Sequence, residues 1–282
     1  MKRIKLAVPT QLDFIFDFGA NKGQNLTYYL LKAQTVVVVE ANPILCEEIN
    51  STYRTFIQQK RLYVENRVII DSPKENGKKT SFYVNLQKDV LSMKDYLGLS
   101  FKDWKEIQGI GECASSIINR YLQGLEAKKI YCKFDLEGFD YRALQDVFHH
   151  NIYPDFVSVE LQDKRIFKLI LDCKMYKSFV IVDGKEFGTK ISKLHLKELK
   201  NQDLFEFNLH SAGPMGTDIP KVWISKKLMR IVLFFTGEGW RDLHASSEIP
   251  PAKFYTSLPI IFKAFKSKFV WKVRSLSIKP RF

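Results

Sequence analysis

Two apolar runs joined through a glycine turn constrain this chain more than any other feature. Asp13-Phe14-Ile15-Phe16-Asp17-Phe18 leads into Gly19-Ala20-Asn21-Lys22-Gly23, and Thr35-Val36-Val37-Val38-Val39 follows and ends on Glu40. Short runs of β-branched and aromatic residues read as strands, and glycines at the break allow a sharp turn. The spacing predicts a strand over about 13–18, a helix over about 23–33 and a strand over about 35–40. Together these make one half of a nucleotide-binding fold.

The alternation continues. Asn42-Pro43 opens a helix near 43–55, with proline in the first turn where its missing N–H costs nothing. Residues 61–70 hold a short apolar run, and a strand at 80–84 follows the turn Glu75-Asn76-Gly77-Lys78-Lys79. Ile130–Asp135 reads as a strand, 140–149 as a helix, Pro154–Glu160 as a strand, 163–174 as a helix and 177–183 as a strand. Strands alternating with helices predict an α/β fold, a largely parallel sheet covered on both faces. Residues 86–128 read as mixed helices and loops. Beyond 190 the pattern weakens into turn-rich stretches at 211–218 and 237–244. With no linker or repeat, a single domain over 1–282 is expected, with a core at about 13–185 and substrate-side insertions at 86–128 and 190–250.

Composition serves to exclude. At 282 residues, 45% apolar and 27% charged, the chain is globular and long enough for a sizeable core. It has no run near the roughly 20 apolar residues of a membrane span, and its basic first residues lead into no apolar stretch, so a cytoplasmic location is expected. Cys46, Cys113, Cys132 and Cys173 are dispersed with no CxxC pair, and the histidines show no HExxH spacing. Reduced thiols and no zinc site are expected.

The turn carries chemistry. Its glycines are spaced GxxxG rather than GxGxxG, and Asp17 stands just before them. A pyrophosphate tolerates no carboxylate there, so the turn suits a cationic ligand without phosphate. S-adenosylmethionine, with its sulfonium, amino group and adenosine, is such a ligand, and Glu40 is placed to accept both ribose hydroxyls. Acids at the carboxyl ends of further strands, Asp135 with Glu137 and then Glu160, should meet Glu40 in one crevice.

Three ordered motifs now resemble a known family: Phe16-Asp17-Phe18-Gly19-Ala20-Asn21-Lys22-Gly23, then Val38-Val39-Glu40-Ala41-Asn42-Pro43, then Lys133-Phe134-Asp135-Leu136-Glu137-Gly138-Phe139-Asp140. They resemble the FkbM family of S-adenosylmethionine-dependent methyltransferases over roughly residues 13–185. Ala41 replaces that family's usual first proline, and Asp140 its second glutamate. The resemblance implies a Rossmann-like class I methyltransferase fold with a mostly parallel seven-stranded sheet. It also implies methyl transfer to a hydroxyl oxygen, usually of a sugar or natural product. By position, Asp17, Gly19, Ala20, Asn21, Gly23, Glu40 and Asn42 would bind the cofactor. Asp135, Glu137, Asp140 and Glu160 would stand near the methyl group.

A hydroxyl acceptor benefits from a general base, and crowded carboxylates raise one another's pKa toward neutrality. Asp135 or Glu137 leads, then Glu160, with His150 last. The same crowding could instead hold a hard cation through oxygen ligands. Much of the net charge of +13 is local to the tail, where Lys263, Lys266, Lys268, Lys272, Arg274, Lys279 and Arg281 meet no acid, and the rest of the chain is mildly basic. Leu258, Ile261, Phe262, Phe265, Phe269, Val273 and Leu276 recur there at helical spacing. One reading is a basic helix on an anionic membrane, and the other is a packed helix with a solvated face. The basic balance also admits an anionic small-molecule or glycan acceptor, or RNA, though no RNA-binding module is evident. A cofactor-binding protein without catalysis is the remaining alternative.

Overall fold

The computed structural model describes residues 12–85, 91–92, 104–126, 128–183, 193–199, 204–207, 211–236, 241–254, 256 and 259–260. Fourteen strands are described: β1 (Leu12–Phe18), β2 (Ala33–Glu40), β3 (Leu62–Asn66), β4 (Val68–Ile70), β5 (Lys79–Asn85), β6 (Leu91–Ser92), β7 (Trp104–Cys113), β8 (Ile130–Phe134), β9 (Phe156–Glu160), β10 (Ser178–Asp183), β11 (Lys193–His195), β12 (Leu204–Glu206), β13 (Ile224–Ser225) and β14 (Arg241–Ser246). The helices are α1 (Leu26–Lys32), α2 (Pro43–Thr52), α3 (Arg54–Gln58), α4 (Ala114–Leu122), α5 (Asp140–His149), α6 (Lys164–Asp172) and α7 (Lys226–Thr236).

The main sheet runs β13-β10-β14-β9-β8-β1-β2-β3. β3, β2, β1, β8 and β9 are parallel to one another, and β14 lies antiparallel between β9 and β10. This is the Rossmann-like class I methyltransferase fold, with β13 as an eighth, two-residue strand added to the seven expected. Chain order reverses between β1 and β8. Such a reversal opens a crevice above the carboxyl ends of the strands, where ligands of open α/β sheets bind.

Both faces of the central strands are covered, which explains their near-continuous apolar runs. Phe16 and Phe18 of β1 face α4, α5, α6 and α7 in one core. Phe18 stacks on Phe134 with ring centroids 5.0 Å apart. Ile15 of β1 and Val36 and Val38 of β2 face α1 and α2 in the other. Burying each such side chain stabilises the fold by roughly 1.5–3 kcal/mol.

A strap from the distant sequence closes the α1 face. Asn25, Tyr28 and Lys32 recur on one side of α1. The Asn25 carboxamide oxygen accepts from Ser211 Oγ at 2.6 Å and from the Ala212 amide at 2.9 Å. The Tyr28 hydroxyl donates to Asp218 at 2.7 Å and accepts from the Met215 amide at 3.1 Å. Lys32, only 1% exposed, pairs with Glu198 and Asp218 at 2.7 Å each. Buried charges survive only when paired in this way.

Several boundaries differ from the sequence reading. The first helix is short, because 21–25 forms turns and β2 starts directly at Ala33. The helix expected over 43–55 breaks at Tyr53, and the run 61–70 divides between β3 in the main sheet and β4 in a second one. That second sheet, β4-β7-β5-β6, occupies part of the region read as helices and loops. β7 escapes a sequence reading because Gly109 and Gly111 lower its strand propensity. Both glycines are required by packing: a Cβ on Gly109 would lie 2.6 Å from Val68 Cγ2, and one on Gly111 2.7 Å from Thr80 Oγ1. The stretch 237–244, read as a loop, contains the start of β14. The basic tail from 261 lies outside the described residues. Among the described residues no helix is long and apolar enough to cross a membrane.

Candidate active site

The glycine turn is built around its neighbours' backbones. Gly19 sits at φ +89°, and a Cβ there would lie 1.9 Å from the carbonyl oxygen of Asp135. The Gly19 and Ala20 amides donate to the Val39 carbonyl at 2.9 and 3.1 Å, tying the turn to β2. Ala20 is buried and packs in the α1-side core. Gly23, at φ +72°, packs against Leu26 and Ile49, and a Cβ there would press on the Leu26 side chain at 2.7 Å.

Glu40, 2% exposed, closes the turn. One carboxylate oxygen accepts the Asn21 amide and the other the Asn42 amide, both at 2.8 Å. Asn21 is held at φ +50° by this arrangement. Burial pushes the Glu40 carboxyl up to about 7 despite these bonds. Asn42 caps α2, accepting from the Ile44 amide at 3.0 Å. Of the residues expected to bind the cofactor, Asn42 thus serves the helix with its side chain and the turn with its backbone.

Asp17 ends up fully buried, and neither oxygen accepts a hydrogen bond from the described residues. Its nearest cation is Lys133 Nζ, 3.5 Å from Oδ1. Burial raises the Asp17 carboxyl, and the Lys133 charge opposes that rise. The same ammonium donates to Asp135 Oδ2 at 3.0 Å. Lys133 is 3% exposed. Burial would lower it, but Asp135, Asp17 and Asp242 more than compensate and hold it charged.

The other expected acids stand at or just beyond the carboxyl ends of β8 and β9, and each feels the charge of Asp135. Glu137 lies at φ +50° with an exposed side chain. Partial desolvation and the charges of Asp135 and Asp140 raise it to about 7, and solvent screens that effect. Asp140 is 1% exposed and accepts the Leu136 and Gly138 amides at 2.8 and 3.1 Å, so it shapes the loop that carries Glu137. Desolvation raises it to about 6. Glu160, at the end of β9, accepts from Gln162 at 2.5 Å. Desolvation, then Asp135 and Asp242, raises it to about 8.

Two residues here are not evident from the sequence. Asp242 faces Glu160 across the β9–β14 pairing, and desolvation lifts it to about 7. Lys133 lies inside the third motif, which by itself gives it no role. Its register partners Asp17 on β1 and Ser158 on β9 place it on the α1 side of the sheet. A lysine at an inward strand position beside several acids is the available signal. His150, in contrast, follows the C-terminal end of α5, about 15 Å along the helix from the crevice loop. It is no candidate base.

The arrangement can hold a cationic ligand over Asp17, accept hydroxyls at Glu40 and take up a proton near neutral pH. Among the described residues no three His, Cys, Asp or Glu side chains converge as a metal cage. The cation standing among the acids is Lys133.

No protein-family profile matches the chain, and no curated protein matches it in sequence. Similar solved structures include the methyltransferase FkbM from Methylobacillus flagellatus KT, at 14% identity and TM-score 0.39, covering 63% of this chain and 42% of that one. A dimethyladenosine transferase from Plasmodium falciparum shares 10% identity at TM-score 0.31, with 63% and 51% covered. An rRNA methylase from Streptococcus thermophilus shares 6% identity at TM-score 0.36, with 64% and 80% covered. The chain thus spans about half or less of the first two. The fold assignment rests on the strand order above.

Proposed function

We propose that the protein is an S-adenosylmethionine-dependent methyltransferase that methylates a hydroxyl oxygen of a sugar or glycan precursor. The observation that carries this reading is the glycine turn at the β1/β8 switch point. On one side it has a buried Asp17 that accepts no hydrogen bond from the described residues, and on the other Glu40. The residues fit the cofactor: Asp17 offers two acceptor oxygens to a cationic group, and each Glu40 oxygen keeps a lone pair beyond the amide it serves. The resemblance of the three motifs supports the hydroxyl acceptor.

When bound, S-adenosylmethionine supplies an electrophilic methyl group. The chain's part is alignment, which is worth on the order of 7–11 kcal/mol in favourable cases, and removal of the acceptor proton. Glu160 and Asp242, adjacent across the sheet and raised to about 8 and about 7, are poised to take that proton. Calorimetry with S-adenosylhomocysteine tests the cofactor half, and labelled methyl transfer to neutral glycans, anionic glycans and RNA tests the acceptor half. Binding followed by transfer to glycans supports the reading. Transfer only to RNA, or binding with no transfer to any acceptor, overturns it.

A further inference from the structure

We propose that Lys133 is a positioning residue of the cofactor crevice, whose buried ammonium holds Asp17 and Asp135 in place as the floor on which the cationic ligand rests. This rests on the function proposed above and adds a role for a residue that the sequence motifs leave unassigned.

The geometry supports the assignment. Lys133 projects from β8, one of the two strands that flank the switch point, 3.0 Å from Asp135 and 3.5 Å from Asp17. Asp17 is fully buried and no hydrogen-bond donor among the described residues serves it. A carboxylate taken out of water without a donor or countercharge neutralises itself by binding a proton. Among the described residues the groups around Asp17 offer no other cation. Tyr29 on α1, Tyr131 on β8, Glu40 on β2 and Asp135 all act on it or feel it as neutral or negative groups, and Asp242 on β14 acts on Lys133 itself. His244, two residues further along β14, is held neutral: burial and the charges of Lys221 and Lys133 lower it to about 3. Lys133 is therefore the group whose charge, 3.5 Å away, opposes the rise that burial imposes on Asp17 and favours its anionic form.

Lys133→Met tests this. In wild type, affinity for S-adenosylhomocysteine between pH 6 and 8 should follow Glu40, whose carboxyl burial pushes up to about 7. In the variant Asp17 takes up a proton as well, so affinity should fall more steeply than in wild type as pH falls, by up to about a further tenfold per pH unit. A second readout needs no ligand: the variant's melting temperature should drop more steeply than wild type between pH 5 and 8, and Asp17→Asn added to Lys133→Met should remove that excess. Equal pH profiles for variant and wild type overturn the proposal. If Lys133→Met does not fold, the double variant decides: a folded double variant supports the pairing, and one equally insoluble refutes it. Wild-type protein that fails to bind S-adenosylhomocysteine refutes the cofactor reading, while the melting profiles still decide what Lys133 does for Asp17.

Discussion

Gly19→Ala separates two costs that a glycine turn usually confounds. At φ +89° an alanine is strained, by about 1–2 kcal/mol. It also meets a backbone atom, because its Cβ would lie 1.9 Å from the Asp135 carbonyl oxygen. Restoring an ordinary contact means moving that carbonyl by more than about 1 Å, since real Cβ atoms essentially never approach within 3.0 Å. The Asp135 amide is bonded to the Phe18 carbonyl at 3.0 Å, so turn and loop would shift as one piece carrying Asp135 and Glu137. A displacement of that size at a reacting centre can cost about 100-fold in rate, or about 2.7 kcal/mol of transition-state stabilisation. Gly77 supplies the control: it has φ +81°, and a Cβ added there would have nothing within 4 Å. Gly77→Ala should lose about 1–2 kcal/mol of stability by urea denaturation and keep wild-type cofactor affinity. Gly19→Ala should lose more stability, and at least tenfold in affinity for S-adenosylhomocysteine by calorimetry. If the two variants behave alike, the close approach of turn and loop does not shape the site.

Glu40 makes stability depend on pH with a definite sign. Its folded pKa of about 7 lies above the ordinary 4.5, so its contribution is full below about 4.5 and is lost as pH rises through about 7, on the order of 3 kcal/mol. Unliganded protein should therefore have its denaturation midpoint fall from pH 4.5 to 8, and Glu40→Gln should make that fall shallower, the remainder belonging to Asp140, Asp242 and Glu160; a midpoint that rises over this range contradicts the account. Methyl transfer should climb with pH through about 7–8 as the Asp242–Glu160 pair loses its proton. Steady-state rates of Glu160→Gln and Asp242→Asn should show that limb displaced, and an unmoved limb in both removes the pair from proton transfer. Lys32→Met leaves Glu198 and Asp218 without their cation, and breaking such a buried pair costs about 3–5 kcal/mol. An unchanged urea midpoint would show that the strap over α1 does not depend on it.

What the sequence makes legible follows from how local each signal is. β1, β2, β8 and β9 are apolar almost throughout because helices cover both faces, and runs of that kind stand out without knowledge of their partners. Asp17, Glu40, Asp135 and Glu160 are legible for the same reason, each marking the end of such a run. β7 is hidden by Gly109 and Gly111, whose requirement lies in Val68 and Thr80, residues distant in sequence. Lys133 is hidden by its type, since a lysine in a strand ordinarily points to solvent.

β14 is the deeper case. Its sequence, Arg241-Asp242-Leu243-His244-Ala245-Ser246, has too few apolar residues to announce a central strand. It is buried only because it fits antiparallel between β9 and β10. That direction has a chemical consequence. A parallel strand brings its carboxyl end to the crevice, whereas β14 brings its amino end, so Asp242 arrives beside Glu160 from a segment that begins where the others finish. A search for acids closing apolar runs looks at the wrong end of this strand. The crevice thus joins Asp17 to Asp242 through the sheet order alone, and the second member of the acid pair becomes visible only once the strands are placed.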